Sequence, residues 1–157
     1  MRITLDTNVL VSAFISRTGH PARVLDIALT LEDVQLVLSD EIIREFKRVM
    51  SRDELLVRLG YTLDDVEELA KLLRKTSRMI KVTSRFRAVK EDPADNVVLN
   101  TAHDGRCDFI VSGDHHLLNL KEFRAIRILS PDRMLNLLSK RYGKFLSRKA
   151  ISEPPSD

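Results

Sequence analysis

Four acidic residues of this 157-residue chain fall at comparable places in the predicted pattern of strands and helices. Asp6 ends a short β-prone run, and Asp114 follows a later one across a glycine. Glu45 lies about one turn past the cap of the helix after the second predicted strand, and Asp95 lies in the first turn of the helix after the third. The carboxyl ends of parallel strands meet at one sheet edge, where ligands and metals bind. We therefore expect these four carboxylates to gather in space.

A group of carboxylates at one sheet edge predicts a divalent cation. Like charges raise each other's pKa, and Mg²⁺ or Mn²⁺ would relieve that repulsion because both prefer oxygen ligands and keep several waters. Such an ion lowers the pKa of a bound water and stabilises charge on a phosphodiester during in-line attack. The predicted reaction is metal-assisted phosphodiester hydrolysis, with Asp6, Glu45, Asp95 and Asp114 as catalytic and metal-binding residues.

Each acid also has an ordinary structural role open to it. Asp6 and Asp95 stand near helix starts, where acids are common. Glu45 could form a surface pair with Arg48, and Asp114 could be a turn residue. The joint pattern favours the metal site, because independent surface acids need not all fall at one edge.

Polar side chains beside the acids are expected to support them through hydrogen bonds to a carboxylate or a metal-bound water. The candidates are Thr7 and Asn8 after Asp6, Asn96 and Asp92 beside Asp95, and Ser112 before Asp114. Thr7 as a helix cap and Asn96 as a solvated helix residue are equally open interpretations.

Basic residues are unevenly distributed, although the formal net charge is only +3. One cluster runs from Arg74 to Lys90 with no acid among its members. A second consists of Lys140, Arg141, Lys144, Arg148 and Lys149. Either cluster could bind a phosphate backbone or form a solvated face and a basic tail.

Composition predicts a soluble, single-domain protein with 43% hydrophobic and 31% charged residues. No apolar run approaches the ~20 residues of a membrane span, and no secretory signal is visible at the N-terminus. Cys107 is the only cysteine, which excludes an internal disulfide and fits a cytoplasmic location. The four histidines lack zinc-type spacing with cysteine, and the chain has neither a Gly-rich phosphate loop nor a serine-nucleophile elbow.

Strands and helices alternate along the chain, which predicts an α/β fold with a parallel sheet covered on both faces. The predicted strands are Ile3–Leu5, Val34–Leu38, Met79–Val82, Phe109–Ser112 and Ile126–Leu129. A capping box at Ser51–Glu54 predicts one helix that ends near Gly60, and a second helix starts at Thr62. These two helices are expected to form a hairpin set on the α/β body. We expect the end, Glu153–Asp157, to be disordered.

The acid-bearing segments resemble those of the PIN domain family, and within it the toxin components of toxin–antitoxin pairs. The resemblance is carried, in order, by Leu5-Asp6-Thr7-Asn8-Val9-Leu10, Ser39-Asp40-Glu41 with Glu45-Phe46, Glu91-Asp92-Pro93-Ala94-Asp95-Asn96, and Phe109-Ile110-Val111-Ser112-Gly113-Asp114-His115-His116-Leu117-Leu118. It covers a PIN domain at residues 2–138, and the basic C-terminal extension at 139–157 lies outside it.

The resemblance implies a three-layer α/β/α Rossmann-like fold with a helical hairpin insertion, and a ribonuclease that cuts single-stranded RNA with Mg²⁺ or Mn²⁺. It places the metal ligands at Asp6, Glu45, Asp95 and Asp114. It also implies a homodimer and a cognate antitoxin. Two positions depart from the family pattern: Ser112 stands where members often have threonine, and His116 stands where they often have another acid.

Three hypotheses follow, with the ribonuclease as the leading one. In it, Arg85, Arg87 and Lys90, in the loop before Asp95, hold the RNA backbone. The second is a non-catalytic PIN module that binds RNA or a partner protein. The third is a phosphoryl-transfer enzyme or a receiver-like switch using Asp6. Haloacid-dehalogenase-type phosphatases need a second acid where this chain has Asn8, and a receiver needs an acid pair at one strand end and a lysine after a late strand, so both forms are disfavoured.

Overall fold

The computed structural model describes residues 1–90, 93 and 95–152. Within them, six strands form one sheet in the order β3-β2-β1-β4-β6-β5. The strands are β1 Arg2–Leu5, β2 Gln35–Ser39, β3 Arg78–Ile80, β4 Phe109–Val111, β5 Glu122–Phe123 and β6 Ile126–Leu129. The five main strands are parallel, and β5 alone runs antiparallel to its neighbour. The predicted α/β architecture, with a mostly parallel sheet between helices, is confirmed.

Helices flank this sheet. They are α1 Thr7–Ile15, α2 His20–Thr30, α3 Asp40–Met50, α4 Asp53–Leu59, α5 Leu63–Thr76, α6 Asp95–Asp104, α7 His115–Leu120 and α8 Pro131–Ser152. The central strands are buried on both faces and read as continuous apolar runs, as parallel strands between helices do. Helix α6 packs against β1, β2 and β4, so its side chains lie over the centre of the sheet.

Close approach of α6 to the sheet depends on Gly105, which follows the helix directly. A Cβ atom at this position would lie 2.5 Å from Val37 Cγ1 and 2.9 Å from the carbonyl oxygen of Thr101. Only a residue without a side chain leaves this contact unstrained. The spacing between α6 and β2 is therefore set partly by one missing methyl group.

The two-helix hairpin of α4 and α5 is present, but its predicted start is wrong. Ser51 closes α3, because its N–H donates to the Lys47 carbonyl, and no side chain caps α4. The capping box belongs to α5 instead. Thr62 Oγ1 accepts from the Asp65 N–H at 3.2 Å, and Asp65 Oδ2 accepts from the Thr62 N–H at 2.8 Å.

Two short elements were not predicted: α7, directly after Asp114, and β5, which forms a hairpin with β6. The turn of that hairpin places Arg124 and Ala125 at positive φ angles of 48° and 64°. Such angles usually call for Gly or Asn in a two-residue hairpin turn, so the residue types gave no turn signal here.

Two predicted features lie partly or wholly outside the described residues: the Glu91-Asp92 and Ala94 positions of the third motif, and the end at 153–157. Helix α8 continues from the predicted domain into the basic extension as far as Ser152. In the part of the chain that the structure describes, none of the helices is long and apolar enough to cross a membrane.

Candidate active site at the carboxyl edge of the sheet

Asp6 and Ser112 face each other across two neighbouring strands. Leu5 of β1 is in register with Val111 of β4, so the residues that follow them meet at the carboxyl edge. Ser112 Oγ donates to Asp6 Oδ2 at 2.8 Å, and the serine is fully buried. Asp6 is 8% exposed, and its side chain makes no capping hydrogen bond to α1 although its backbone begins that helix. The capping role considered for Asp6 is therefore not the one its carboxylate performs.

Ser112 also connects Asp6 to Asp114. While its hydroxyl donates to Asp6, its oxygen accepts from the Asp114 N–H at 3.0 Å. Asp114 Oδ1 in turn accepts from the His116 N–H at 2.8 Å and caps α7. One carboxylate oxygen of Asp114 thus caps the start of α7, and the ring centroids of the next two residues, His115 and His116, are 4.0 Å apart.

Asp95 is the second nearly buried acid, with 6% of its surface exposed. It begins α6, the helix that follows β3 and reaches the strand ends: Thr101, two turns further along, shares a 2.8 Å hydrogen bond with Ser39, the last residue of β2. A carboxylate is costly to bury without a compensating charge or donor. Asp6 and Asp95 are thus two buried acids placed at the carboxyl side of the sheet.

Glu45 is engaged by Arg48 on the same helix. The guanidinium donates twice, from Nε to Oε2 at 2.9 Å and from Nη2 to Oε1 at 2.6 Å. These hydrogen bonds, with the positive charges of Arg48 and Arg52, hold the pKa of the Glu45 carboxyl below its usual range. The structure therefore realises the ion pair that was the alternative interpretation of Glu45, and both of its oxygens are occupied by arginine.

The basic loop before Asp95 is tied to α6 by side chains spaced four residues apart on that helix. Asn96 accepts from the Val89 N–H at 2.9 Å and donates to its carbonyl at 2.7 Å. Asn100 makes the same pair of bonds with Phe86, at 2.8 and 3.4 Å. Each amide thereby pairs with the loop backbone as a neighbouring strand would. Asn96 is predicted from sequence to support Asp95, but in the structure its side-chain amide hydrogen-bonds to the backbone of Val89.

Asp104 completes this row of side chains one further turn along α6. Its carboxylate accepts from the N–H groups of Thr83 and Ser84 at 2.6 and 2.8 Å, and from the Ser84 hydroxyl. Desolvation raises the pKa of Asp104, but these hydrogen bonds outweigh it and the net pKa is lowered. The whole segment 83–89 is thus bound to one helix.

The tethered loop presents its basic side chains to solvent. Arg85, Arg87 and Lys90 are exposed and line a groove of about 540 Å³ together with Phe86. The Arg124 guanidinium lies 4.2 Å from the centre of the Phe86 ring, a cation–π distance. The three cations named from sequence thus share one groove, next to an aromatic ring.

Thr7 is half-buried and Asn8 is exposed, and neither side chain hydrogen-bonds to any residue that the structure describes.

Three residues that hold or line the basic loop were not predicted from sequence: Asn100, Asp104 and Phe86. The four-residue spacing of positions 96, 100 and 104 could have predicted that these side chains share one face of the helix, since residues four apart do so.

The donor chemistry of this edge fits a hard divalent cation, because Asp6, Asp95 and Asp114 offer only carboxylate oxygens. The described carboxylates of this edge are not arranged as a complete metal-binding site. Among residues 1–90, 93 and 95–152, no three His, Cys, Asp or Glu side chains are grouped closely enough to hold a metal ion. Asp6 and Asp95, both nearly buried, are the residues best placed to hold one.

The chain combines a parallel α/β fold with buried acids at the carboxyl edge of its sheet. The family model described as PIN domain matches residues 2–116, so the chain belongs to the PIN domain family. PIN domains are generally nucleases and typically use divalent metal ions, which supports a nuclease role for this chain.

Two individual proteins are similar to the chain. It is 24% identical over 134 residues to the uncharacterized protein MJ1680 of Methanocaldococcus jannaschii, covering 78% of this chain and 76% of that protein. Its fold is similar to that in the crystal structure of VapBC2 from Rickettsia felis bound to a DNA fragment from their promoter. That match has a TM-score of 0.57 at 10% identity, covering 83% of this chain and 98% of the other.

Proposed function

We propose that the chain is a metal-dependent endoribonuclease that hydrolyses phosphodiester bonds of single-stranded RNA. The observation that carries this proposal is the pairing of a nearly buried Asp6 with Ser112 at the sheet edge where Asp95 and Asp114 also lie. When bound, Mg²⁺ or Mn²⁺ would activate water and neutralise charge on the phosphate.

The protein's own residues have separate roles in this proposal. Asp6, Asp95 and Asp114 would hold the ion, and Glu45, which Arg48 binds in this structure, would be available as a further ligand without that ion pair. Ser112 fixes the Asp6 carboxylate through a hydrogen bond, in the way that outer hydrogen bonds orient metal ligands.

RNA binding is assigned to the loop bound to α6. Arg85, Arg87 and Lys90 supply charge to phosphates, and Phe86 adds an aromatic ring near them. A single strand suits such a groove, because proteins that bind single strands combine a basic track with aromatic side chains.

A toxin role with a cognate antitoxin is the biological context we propose. The support is the similarity in fold to VapBC2, and family membership itself fits that role.

We also propose that the chain forms a homodimer. The hairpin α4–α5 offers exposed apolar side chains, Val57, Leu63 and Leu72, for contact between two copies.

The test is cleavage of labelled single-stranded RNA with Mn²⁺ or Mg²⁺, compared with chelator. Wild type should cut, and Asp6→Asn should lose at least about 100-fold in rate, the scale on which loss of charge stabilisation acts. Asp26→Asn, on the exposed face of α2, is the matched control and should cut normally. Equal activity of Asp6→Asn and wild type would overturn the mechanism.

A second candidate is a non-catalytic PIN module that binds RNA or a partner protein. Two observations favour it: Arg48 occupies both oxygens of Glu45, and His116 stands where the family pattern often has an acid. It predicts RNA binding that persists in chelator, with no cleavage under any metal.

A further inference from the structure

A second groove, of about 560 Å³, lies between β6 and α8. We call it the α8 groove. Four exposed cations line it, Arg127, Arg133, Lys140 and Arg141, over an apolar floor of Leu129 and Leu137. Its lining contains no acidic side chain from the described ranges. Two members of the C-terminal basic cluster, Lys140 and Arg141, thus lie on the same groove as Arg133, earlier on α8, and Arg127, on β6.

None of the four cations of the α8 groove forms a salt bridge with a described residue, although Glu122 lies opposite Arg127 across the β5–β6 hairpin and lines an adjoining groove with Arg127 and Arg133. Elsewhere on the surface, cations do find acids: Lys47 pairs with Glu67 at 2.6 Å, and Arg74 with Asp40. Like charges held together on one surface repel and raise the local potential. The arrangement is stabilised when a polyanion enters.

The α8 groove lies beside β6, the strand next to β4 and two strands from Asp6. Leu129, on its floor, is in register with Val111, and the Leu129 carbonyl accepts from the Ser112 N–H at 3.0 Å. Strands β1, β4 and β6 are consecutive neighbours, so β6 lies about 10 Å from β1 at the usual strand spacing. A chain lying across Asp6 that continues in this direction enters the groove.

We propose that the α8 groove binds the phosphate backbone of the RNA strand that flanks the cleaved bond, an inference that rests on the proposed ribonuclease function. Arginine and lysine are the side chains that bind phosphate, and positions 133, 137, 140 and 141 share one helix face. An acidic protein segment could also pair with these cations. The short distance between β6 and the strand that ends in Asp6 favours RNA.

The experiment removes three groove cations together, as Arg133→Ala/Lys140→Ala/Arg141→Ala. The matched control removes three exposed cations from α2, α4 and α5, as Arg23→Ala/Arg58→Ala/Lys71→Ala, so that the net charge is the same. The affinity of a labelled oligouridylate of about 20 nucleotides is measured in chelator over a range of salt. Each phosphate contact to a single strand contributes about 0.7 to the salt slope, so the groove variant should lose about 2 from that slope and at least about tenfold in affinity.

Further arms separate the outcomes. Arg133→Lys/Arg141→Lys keeps the charge and should keep most of the affinity, and thermal melts identify a variant that fails to fold. If the groove variant binds RNA like the control variant while wild type cleaves RNA, the groove proposal is overturned and the ribonuclease stands. If wild type does not cleave RNA, but the groove variant loses RNA affinity and the control variant does not, the ribonuclease proposal is overturned and RNA binding by the groove stands. Groove-dependent binding of polyglutamate with unchanged RNA binding would overturn the proposal in favour of an acidic protein partner.

Discussion

The hydroxyl of Ser112 donates to the carboxylate of Asp6 across 106 residues of sequence, at 2.8 Å. The bond exists because β1 and β4 are parallel neighbours whose last residues, Leu5 and Val111, are in register. The orientation of Asp6 is therefore set by the adjacent strand and not by the helix that Asp6 begins. Ser112 thus links the positions of two predicted metal ligands, Asp6 and Asp114.

Removing the Ser112 hydroxyl should impair both folding and activity. Ser112→Ala removes one hydrogen bond to the Asp6 carboxylate and the acceptor of the Asp114 N–H, which should cost about 1–3 kcal/mol in unfolding free energy. RNA cleavage should fall about 10- to 100-fold, as when other outer hydrogen bonds to metal ligands are lost. Ser112→Thr keeps the hydroxyl and should retain most of the activity. Urea melts and cleavage rates of the two variants measure this, and equal activity of both would contradict a positioning role.

Freeing Glu45 from Arg48 should strengthen metal binding. In Arg48→Ala the two hydrogen bonds to Glu45 are lost, so the pKa of Glu45 should rise toward its usual 4.5, as followed by NMR titration. At neutral pH the released carboxylate is ionised and available, and Mn²⁺ affinity measured by calorimetry should increase about two- to fivefold, in line with the modest strength of an exposed pair. Arg44→Ala removes the same charge from the same helix. An equal gain in that control would show that Glu45 is not a ligand.

Cutting one tether of the basic loop should affect RNA binding more than chemistry. Asn100→Ala removes both bonds to Phe86, so the Phe86 amide should exchange hydrogen faster. Because the loop carries the cations and not the acids, KM for RNA should rise while kcat stays close to that of wild type. Asn119→Ala, exposed on α7, is the control. A fall in kcat at unchanged KM would contradict this assignment.

Asp104 should stabilise the protein in a pH-dependent way. Its pKa is lowered in the folded state, so its contribution is present above its usual value of 3.8 and is lost as the pH falls through the lower, folded value. The difference in unfolding free energy between wild type and Asp104→Asn should thus be largest near neutral pH and shrink below about pH 4. In a Ser84→Ala background the difference should be smaller at neutral pH. A difference that grew on acidification would have the wrong sign.

A methyl group at position 105 should destabilise the fold. In Gly105→Ala the new Cβ meets Val37 and the Thr101 carbonyl, and overpacking of this kind costs about 1–3 kcal/mol. Combining it with Val37→Ala should recover part of that loss. Gly113→Ala, where a Cβ has open space, should change the melting temperature little. Equal melting temperatures for the two single variants would refute the close approach.

The architecture could be predicted from sequence because its main elements are long and strongly patterned. Alternating apolar strands and helices predict a parallel sheet, and a parallel sheet brings strand ends together, which is why Asp6 and Asp114 could be assigned to one edge. The short elements could not be predicted. β5 has two residues, and its turn uses Arg124 and Ala125, which are not typical turn formers.

The details of the site were less predictable, because the partners of its side chains are mostly backbone groups. Asn96 and Asn100 bind N–H and C=O groups of the loop, which every residue carries and no motif marks. The sequence could not decide the role of Glu45 for a different reason. Arg48, three residues away, favours an ion pair, whereas the carboxylate itself favours a metal site.

The tethering of segment 83–89 to α6 has a mechanical consequence. The bonds from Asn96, Asn100 and Asp104 join the loop to the helix whose first residue is Asp95. The groove that binds RNA in our proposal and one of the buried acids are therefore carried by the same helix. We expect the loop and Asp95 to move as one unit, so that RNA bound in the groove keeps a fixed distance from the acidic edge.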